Sequence, residues 1–173
     1  MKMNNTLRVI ALSLFVVCFV TPTKTSAGEV LSSDDLIKKL DPNSPLNLTF
    51  RGLSRTDAEP PSVDLDIRFA FDSEELLPEA RAQLDALGDA LSSGVLGAYR
   101  FKIIGHTDAV GEVDYNLTLS DRRARSVKVY LTANYGIASG RLIELGMGEQ
   151  ELKNADDPEA PENRRVEVIN LGE

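Results

Sequence analysis

Two residues of opposite charge, Asp108 and Arg123, are the strongest candidates for binding chemistry in this 173-residue sequence. Asp108 lies in a loop directly after a predicted strand, where ligands usually gather in such sheets. Arg123 lies in the first turns of a predicted helix. A carboxylate holds an ammonium group through charge-assisted hydrogen bonds, and a planar guanidinium holds a carboxylate through two parallel ones. Facing one cavity, the pair would recognise the head group of an amino acid.

The position of Arg123 around its helix separates it from the neighbouring arginines. At about 100° per residue, Arg123 falls on the core-facing stripe that contains Val127. Arg122 and Arg125 fall on the opposite, solvated face. A guanidinium on an apolar stripe is costly unless it is paired. Arg123 therefore needs a carboxylate, which either Asp108 supplies as a salt bridge or a ligand supplies.

The single histidine, His106, offers a different chemistry. A hydrolase would use His106 and Asp108 as a dyad with a serine or a water as nucleophile. The sequence contains no Gly-x-Ser-x-Gly and no Ser-x-x-Lys motif, so we do not expect an enzyme. The plainer interpretation is a histidine packed at a strand end. With one histidine and one cysteine, the chain lacks the ligands of a His/Cys cluster, and we expect neither a metal nor a cofactor.

The charge of the chain narrows the class of partner. Its formal net charge is −8 at pH 7, and the acidic residues lie beyond the first 27 residues. An acidic protein repels phosphate backbones and anionic lipids. We therefore expect no nucleic acid partner and no binding to a membrane surface.

The first 27 residues are predicted to be a secretory signal peptide. Basic residues flank an uncharged apolar run over residues 9–20, and Thr25, Ser26 and Ala27 provide a cleavage site. The apolar run has 12 residues, whereas a membrane-spanning helix needs about 20. We therefore expect export with cleavage, and no transmembrane span afterwards. Cys18 lies inside the run after bulky residues, so it is expected to leave with the signal peptide rather than to carry a lipid.

Residues 28–62 and 63–173 are predicted to be a linker and a folded domain, respectively. The linker contains four prolines among many polar residues, and its apolar spacing allows a short helix. In the domain, strands are predicted over residues 63–70, 99–104, 142–147 and 165–169, and helices over 78–94 and about 116–135. Strands separated by helices of about four turns indicate an α+β or α/β sandwich.

Several ordered motifs resemble the OmpA-like peptidoglycan-binding domain over about residues 63–169. They are Phe-Asp-Ser at 71–73 with Leu-Pro at 77–78, Ile-Gly-His-Thr-Asp-Ala-Val-Gly at 104–111, Tyr-Asn at 115–116, Leu-Ser-Asp-Arg-Arg-Ala at 119–124 and Asn-Arg-Arg-Val-Glu at 163–167. The resemblance implies a βαβαβ-type sandwich with helices packed on a mixed four-stranded sheet. It also implies noncovalent binding of peptidoglycan through the meso-diaminopimelate of the stem peptide.

The resemblance assigns roles to individual residues. In that family, the aspartate of the Gly-x-Thr-Asp loop and the second arginine of the Leu-Ser-x-x-Arg-Ala helix hold the ammonium and carboxylate of diaminopimelate. Those positions are Asp108 and Arg123 here. Thr107, Asn116 and Arg164 match polar positions around the same site. Their alternatives are that Thr107 serves its loop, Asn116 caps the helix and Arg164 braces the sheet edge.

The resemblance also implies a place in the cell. It suggests an exported envelope protein in the periplasm, associated with the cell wall or the outer membrane. A second class of function stays open, in which the domain mainly contacts other envelope proteins in a larger assembly. Residues 149–162 are acidic where many family members carry a basic residue, so further glycan contacts are not implied.

Overall fold

The computed structural model describes residues 30–48 and 59–173. The predicted signal peptide, residues 1–27, lies outside the described residues, and so do residues 28–29 and 49–58 of the predicted linker. None of the helices in the described ranges is both long enough and apolar enough to cross a membrane.

Four α-helices and four β-strands form within the described ranges. The helices are α1 (Ser33–Leu40), α2 (Pro45–Leu48), α3 (Pro78–Ser92) and α4 (Val113–Tyr135), and the strands are β1 (Ser62–Leu65), β2 (Arg100–His106), β3 (Leu142–Gly148) and β4 (Val166–Gly172). The sheet has the order β1-β4-β2-β3. Strands β2 and β3 run parallel, and β4 runs antiparallel to both β1 and β2. The predicted mixed four-stranded sheet is therefore confirmed.

One hydrophobic core joins the sheet to the helices, which confirms the predicted sandwich. Strand residues such as Phe101, Ile103 and Val168 are buried against residues from α1, α3 and α4. On the edge strand β3, Ile143 and Leu145 are exposed. Strand residues that face the core are thus buried and those on the opposite face are exposed, which is the period-2 pattern of a strand with one covered face.

The first strand is shorter than the sequence predicts. Strand β1 ends at Leu65, which pairs with Val166, the first residue of β4. Beyond this pair β1 has no partner strand, so the chain leaves the sheet. It then turns back on itself, with Phe69 forming an isolated bridge to Leu76. The boundary is therefore set by where the neighbouring strand β4 begins. The apolar pattern of one strand in the sequence does not contain that information.

The helix boundaries differ from the predictions by a few residues at two ends. Helix α3 ends at Ser92 with Ser93 at its C-cap, rather than the expected Gly94, because the Ser93 hydroxyl accepts a hydrogen bond from the amide of Leu96 and the chain turns there. Helix α4 begins at Val113, three residues earlier than predicted. Its predicted end is confirmed, since Gly136 follows Tyr135 in the left-handed conformation with φ of 64°.

Helix α1 lies in the segment that was predicted as a linker with an optional short helix. Its Leu36 and Leu40 are fully buried in the domain core. The Leu31 amide donates to the Gln83 side chain at 2.9 Å, and the Asn170 side-chain amide donates to the Leu40 carbonyl at 2.8 Å. Residues 30–48 of this segment therefore pack on the domain rather than forming an extended connection.

Arg141 connects the end of α3 to the start of β3. Its guanidinium donates hydrogen bonds to the carbonyls of Leu91, Leu96 and Tyr99 at 2.8–3.0 Å. We expect Arg141→Gln to lower the free energy of unfolding by about 2 kcal/mol, since hydrogen bonds to a charged group are lost and carbonyls are left unpaired.

Chemical denaturation of Arg141→Gln beside Arg125→Gln tests this role. The Arg125 side chain is exposed and lies 4.0 Å from Asp121, so its replacement should change stability by less than about 0.5 kcal/mol. Equal stability of the two variants would contradict a bracing role for Arg141.

Candidate functional site

A groove of about 1140 Å³ lies where the loop after β2, the first turns of α4 and the segment between β1 and α3 meet. Its lining includes all five residues predicted from the sequence, which are Thr107, Asp108, Asn116, Arg123 and Arg164. The fold thus brings these positions to one surface, although they come from a loop, a helix and the residues just before β4.

Asp108 pairs with Arg164 rather than with Arg123. One carboxylate oxygen lies 2.6 Å from Nη1 of Arg164, and the other accepts a hydrogen bond from the Val110 amide at 3.3 Å. The Asp108 side chain is 13% exposed and the Arg164 side chain 49%. The salt bridge considered from the sequence therefore joins the loop to the start of β4, not to α4.

Arg123 reaches the groove from α4 and is held by groups that carry no negative charge. Its Nε donates to the Ser73 carbonyl at 2.9 Å, and its guanidinium carbon lies 5.0 Å from the centre of the Phe69 ring. Burial lowers the pKa of Arg123, but an arginine stays protonated in proteins. None of the described residues places a carboxylate within ion-pair distance, so its Nη groups are available to an anion.

The burial of the positions around Arg123 on α4 confirms the helical projection. Ala124 and Val127 are fully buried, while Arg122 and Arg125 are exposed. The Nε of Arg122 lies 3.7 Å from a Glu74 carboxylate oxygen at the surface. Only one arginine of this helix segment therefore lines the groove.

Asn116 holds the loop that carries Asp108. Its side-chain amide donates to the carbonyls of Asp108 and Val110 and to the Glu149 carboxylate, at 3.3, 3.2 and 2.7 Å. The alternative that Asn116 caps α4 is wrong, because Glu112 occupies the N-cap and Asn116 is the fourth helical residue. Asn116 is 3% exposed, so it acts mainly by fixing Asp108 relative to the helix.

Thr107 contributes a buried hydroxyl beside Asp108. It is 3% exposed, and its Oγ1 has no hydrogen-bond partner among the described residues. Its amide donates to the Gly148 carbonyl at 2.9 Å. The backbone is therefore fixed by β3, while the buried hydroxyl bonds to none of the described residues.

His106 is packed at the end of β2, which confirms the plainer interpretation of this residue. Burial lowers its pKa to about 4, and the nearby charge of Arg165 acts in the same direction, so the imidazole is neutral at neutral pH. The Asp108 carboxylate is engaged by Arg164 and Val110. The geometry of the described residues thus does not form the His106–Asp108 dyad that a hydrolase would need.

The segment before α3 supplies groove residues to which sequence reasoning gave no role. Phe71 is fully exposed at the groove, and Asp72 adopts a positive φ of 53°. The Tyr115 hydroxyl donates to the Asp72 carboxylate. The Phe-Asp-Ser motif at 71–73 is the sequence feature that points to this segment, but a motif does not show that the segment folds back towards α4.

The sequence model of the OmpA family matches residues 68–166. Outer membrane porin F of Pseudomonas aeruginosa is 35% identical over 131 residues, which cover 73% of this chain and 37% of that protein. The chain therefore spans little more than a third of the length of this relative.

Solved structures resemble the fold described above. The peptidoglycan-associated lipoprotein from Burkholderia pseudomallei has a TM-score of 0.53 at 26% identity, covering 78% of this chain and 99% of that one. The cell wall anchor of the T6SS from Pseudomonas aeruginosa has a TM-score of 0.52 at 28% identity, covering 67% of this chain and 84% of that one. Residues 68–166 include all five predicted groove residues.

Proposed function

This chain belongs to the OmpA family, and on that premise we propose that it binds peptidoglycan noncovalently through the meso-diaminopimelate of the stem peptide. The observation that carries the proposal is the charge arrangement of the groove. The Asp108 carboxylate and Arg123 line one surface, and no described carboxylate forms an ion pair with Arg123, although Asp108 and Asp72 favour its charged form from a distance. Such a surface suits a ligand that carries both an ammonium and a carboxylate.

The second amino-acid centre of diaminopimelate provides those two groups. Asp108 accepts hydrogen bonds from the ammonium, and Arg123 donates two to the carboxylate. A carboxylate offers about four acceptor positions, so the ammonium and Arg164 share Asp108. Because the Arg164 side chain is 49% exposed, a shift of this side chain towards the ligand costs little free energy.

The remaining groove residues support this mode of binding. Thr107 offers its hydroxyl to the stem peptide, and Asn116 keeps the Asp108 loop in place through its three hydrogen bonds. The fixed position of the donors and acceptors lowers the entropy lost on binding. The ligand is held without any covalent step, so no catalytic residue is required.

The relatives suggest where the protein acts. They include an outer membrane porin, a peptidoglycan-associated lipoprotein and a cell wall anchor. These relatives support an exported, periplasmic protein that is associated with the cell wall or the outer membrane. Its export depends on the predicted signal peptide at residues 1–27. Other envelope proteins remain candidate partners, since the fully exposed Phe71 and the exposed Val110 form an apolar rim at the groove.

Sedimentation with purified sacculi tests the proposed function. The protein should sediment with sacculi whose stem peptides contain diaminopimelate and remain in solution with sacculi whose stems contain lysine. The lysine side chain ends in an ammonium and lacks the second carboxylate, so Arg123 has nothing to bind. Equal sedimentation with both kinds of sacculi would overturn the proposed ligand.

Substitution of adjacent arginines provides a matched comparison at the level of one residue. Lysine keeps the positive charge but cannot form the bidentate grip of a guanidinium. Arg123→Lys should therefore weaken binding of a diaminopimelate muropeptide by about 1–3 kcal/mol. Arg122→Lys should change it by less than about 0.5 kcal/mol, because its side chain lies on the surface. Calorimetric titration measures both, and equal losses would contradict the role of Arg123.

A further inference from the structure

Three potential metal ligands from distant parts of the chain converge beside the end of β2. His106 is the last residue of β2, Glu167 lies on β4, and Glu151 follows β3. One ligand atom from each residue lies within 4.8 Å of those from the other two. No other such group of at least three His, Cys, Asp or Glu residues occurs in the described ranges.

The ring of His106 is buried and its nitrogens are unpaired among the described residues. The residue is 2% exposed, and neither ring nitrogen has a hydrogen-bond partner among the described residues. Buried polar groups are nearly always satisfied by protein, water or an ion. The nearest acidic atom, Oε2 of Glu167, lies 3.5 Å from Nε2.

We propose that His106, Glu151 and Glu167 bind a divalent transition metal ion, with Zn²⁺ as the ion that fits best. Zinc bonds to histidine nitrogen and carboxylate oxygen are about 2.0–2.2 Å long. Two ligand atoms of a tetrahedral zinc therefore lie about 3.4 Å apart, close to the 3.5 Å between His106 and Glu167. Glu151 is exposed, so its carboxylate closes the remaining distance by rotating. Water takes the fourth position, as is usual with three protein ligands.

The ligand types and local charges decide which ion is favoured. Calcium and magnesium prefer shells made of oxygen atoms, whereas an imidazole suits zinc, copper and nickel. Arg165 is bonded to the Asp64 carboxylate at 3.0 Å and to the Glu151 carbonyl at 3.3 Å, and Lys153 bonds to the same Asp64 carboxylate at 2.7 Å. Asp64 offsets part of these two positive charges, and the carboxylates of Glu151 and Glu167 supply the negative charge next to the metal.

This site is separate from the groove. None of the three ligands lines the groove, so metal binding does not depend on the proposed function. Its effect would be structural, because one ion would tie β2, β4 and the segment after β3 together.

Calorimetric titration of the purified chain with ZnCl₂ tests the proposal. The protein carries no histidine tag and is freed of metal with a chelator. Cys18→Ser removes the only thiol from any chain that keeps the predicted signal peptide. We expect one zinc ion per chain and a rise in melting temperature. His106→Gln and Glu167→Gln should each weaken binding about tenfold or more. Glu162→Gln, which alters an acidic residue outside the three-ligand group that bonds to Asn154, should leave it unchanged.

A second measurement keeps the test decisive if His106→Gln does not fold. Because the chain has one histidine, the ¹⁵N resonances of a single imidazole report on the site in the otherwise unaltered protein. These resonances should shift on addition of one equivalent of Zn²⁺. Unshifted imidazole resonances, zinc affinity that is unchanged in Glu167→Gln, or equal affinity for Ca²⁺ would each overturn the proposal. The titration contains no peptidoglycan, so its outcome is independent of the sedimentation result.

Discussion

Asp108→Ala is expected to weaken binding to diaminopimelate-containing sacculi by about 2–5 kcal/mol, the usual loss when one member of a desolvated charge pair is removed. The fold should stay intact. Within the protein Asp108, 13% exposed, pairs with Arg164, which is 49% exposed and stays solvated when the carboxylate is removed, so the loss of stability should be about 1 kcal/mol. A ligand ammonium bound in the groove is better shielded from water, so binding should lose far more than stability does.

Binding isotherms and chemical denaturation of the same variant separate the two roles. Asp121→Ala is the matched control, since it removes a carboxylate from an ion pair with Arg125 on the outer face of α4. The control should bind sacculi as the unaltered protein does. Unfolding of Asp108→Ala would assign the residue a structural role through Arg164. Unchanged binding by a folded variant would remove Asp108 from the site.

Much of the architecture follows from local patterns in the sequence. Alternating apolar residues locate the strands, and the helical period separates Arg123 from Arg122 because side-chain direction depends only on position within one helix. The end of α4 at Gly136 follows from glycine's tolerance of the left-handed conformation. These features need no knowledge of the rest of the chain.

The pairings across the groove could not be predicted in the same way. Asp108 meets Arg164 because β4 runs antiparallel to β2, which brings the start of β4 beside the end of β2. The Ser73 carbonyl, which accepts the hydrogen bond from Arg123, lies fifty positions earlier in the sequence. Such contacts depend on the order of the strands and on the path of the loops. Neither can be predicted from the periodicity of apolar residues in the sequence. The same reason explains why helix α1, rich in polar residues, was not expected to bury Leu36 and Leu40.

The contact between α4 and the sheet also depends on tertiary structure, and it rests on glycines of β2 and β3. Gly105 of β2 and Gly146 of β3 are paired in register. A Cβ atom on Gly105 would lie 2.2 Å from the Ser120 carbonyl oxygen, and one on Gly146 would lie 2.4 Å from the Asp121 amide nitrogen. The helix that carries Arg123 therefore lies closer to the strands than any side chain would allow. Ser120 fixes this approach by accepting a hydrogen bond from the Gly148 amide at 2.8 Å.

Gly105→Ala should consequently lower the free energy of unfolding by about 3 kcal/mol or more, because the added methyl group meets helix backbone, which cannot rotate away as a side chain can. Urea denaturation measures this loss. Gly140→Ala is the matched control, since a Cβ there meets nothing within 4 Å, and its effect should stay below about 1 kcal/mol. The folded fraction of Gly105→Ala should also bind sacculi more weakly, since α4 places Arg123 relative to the Asp108 loop. Wild-type stability of Gly105→Ala would show that the helix is not held against the sheet as the structure describes.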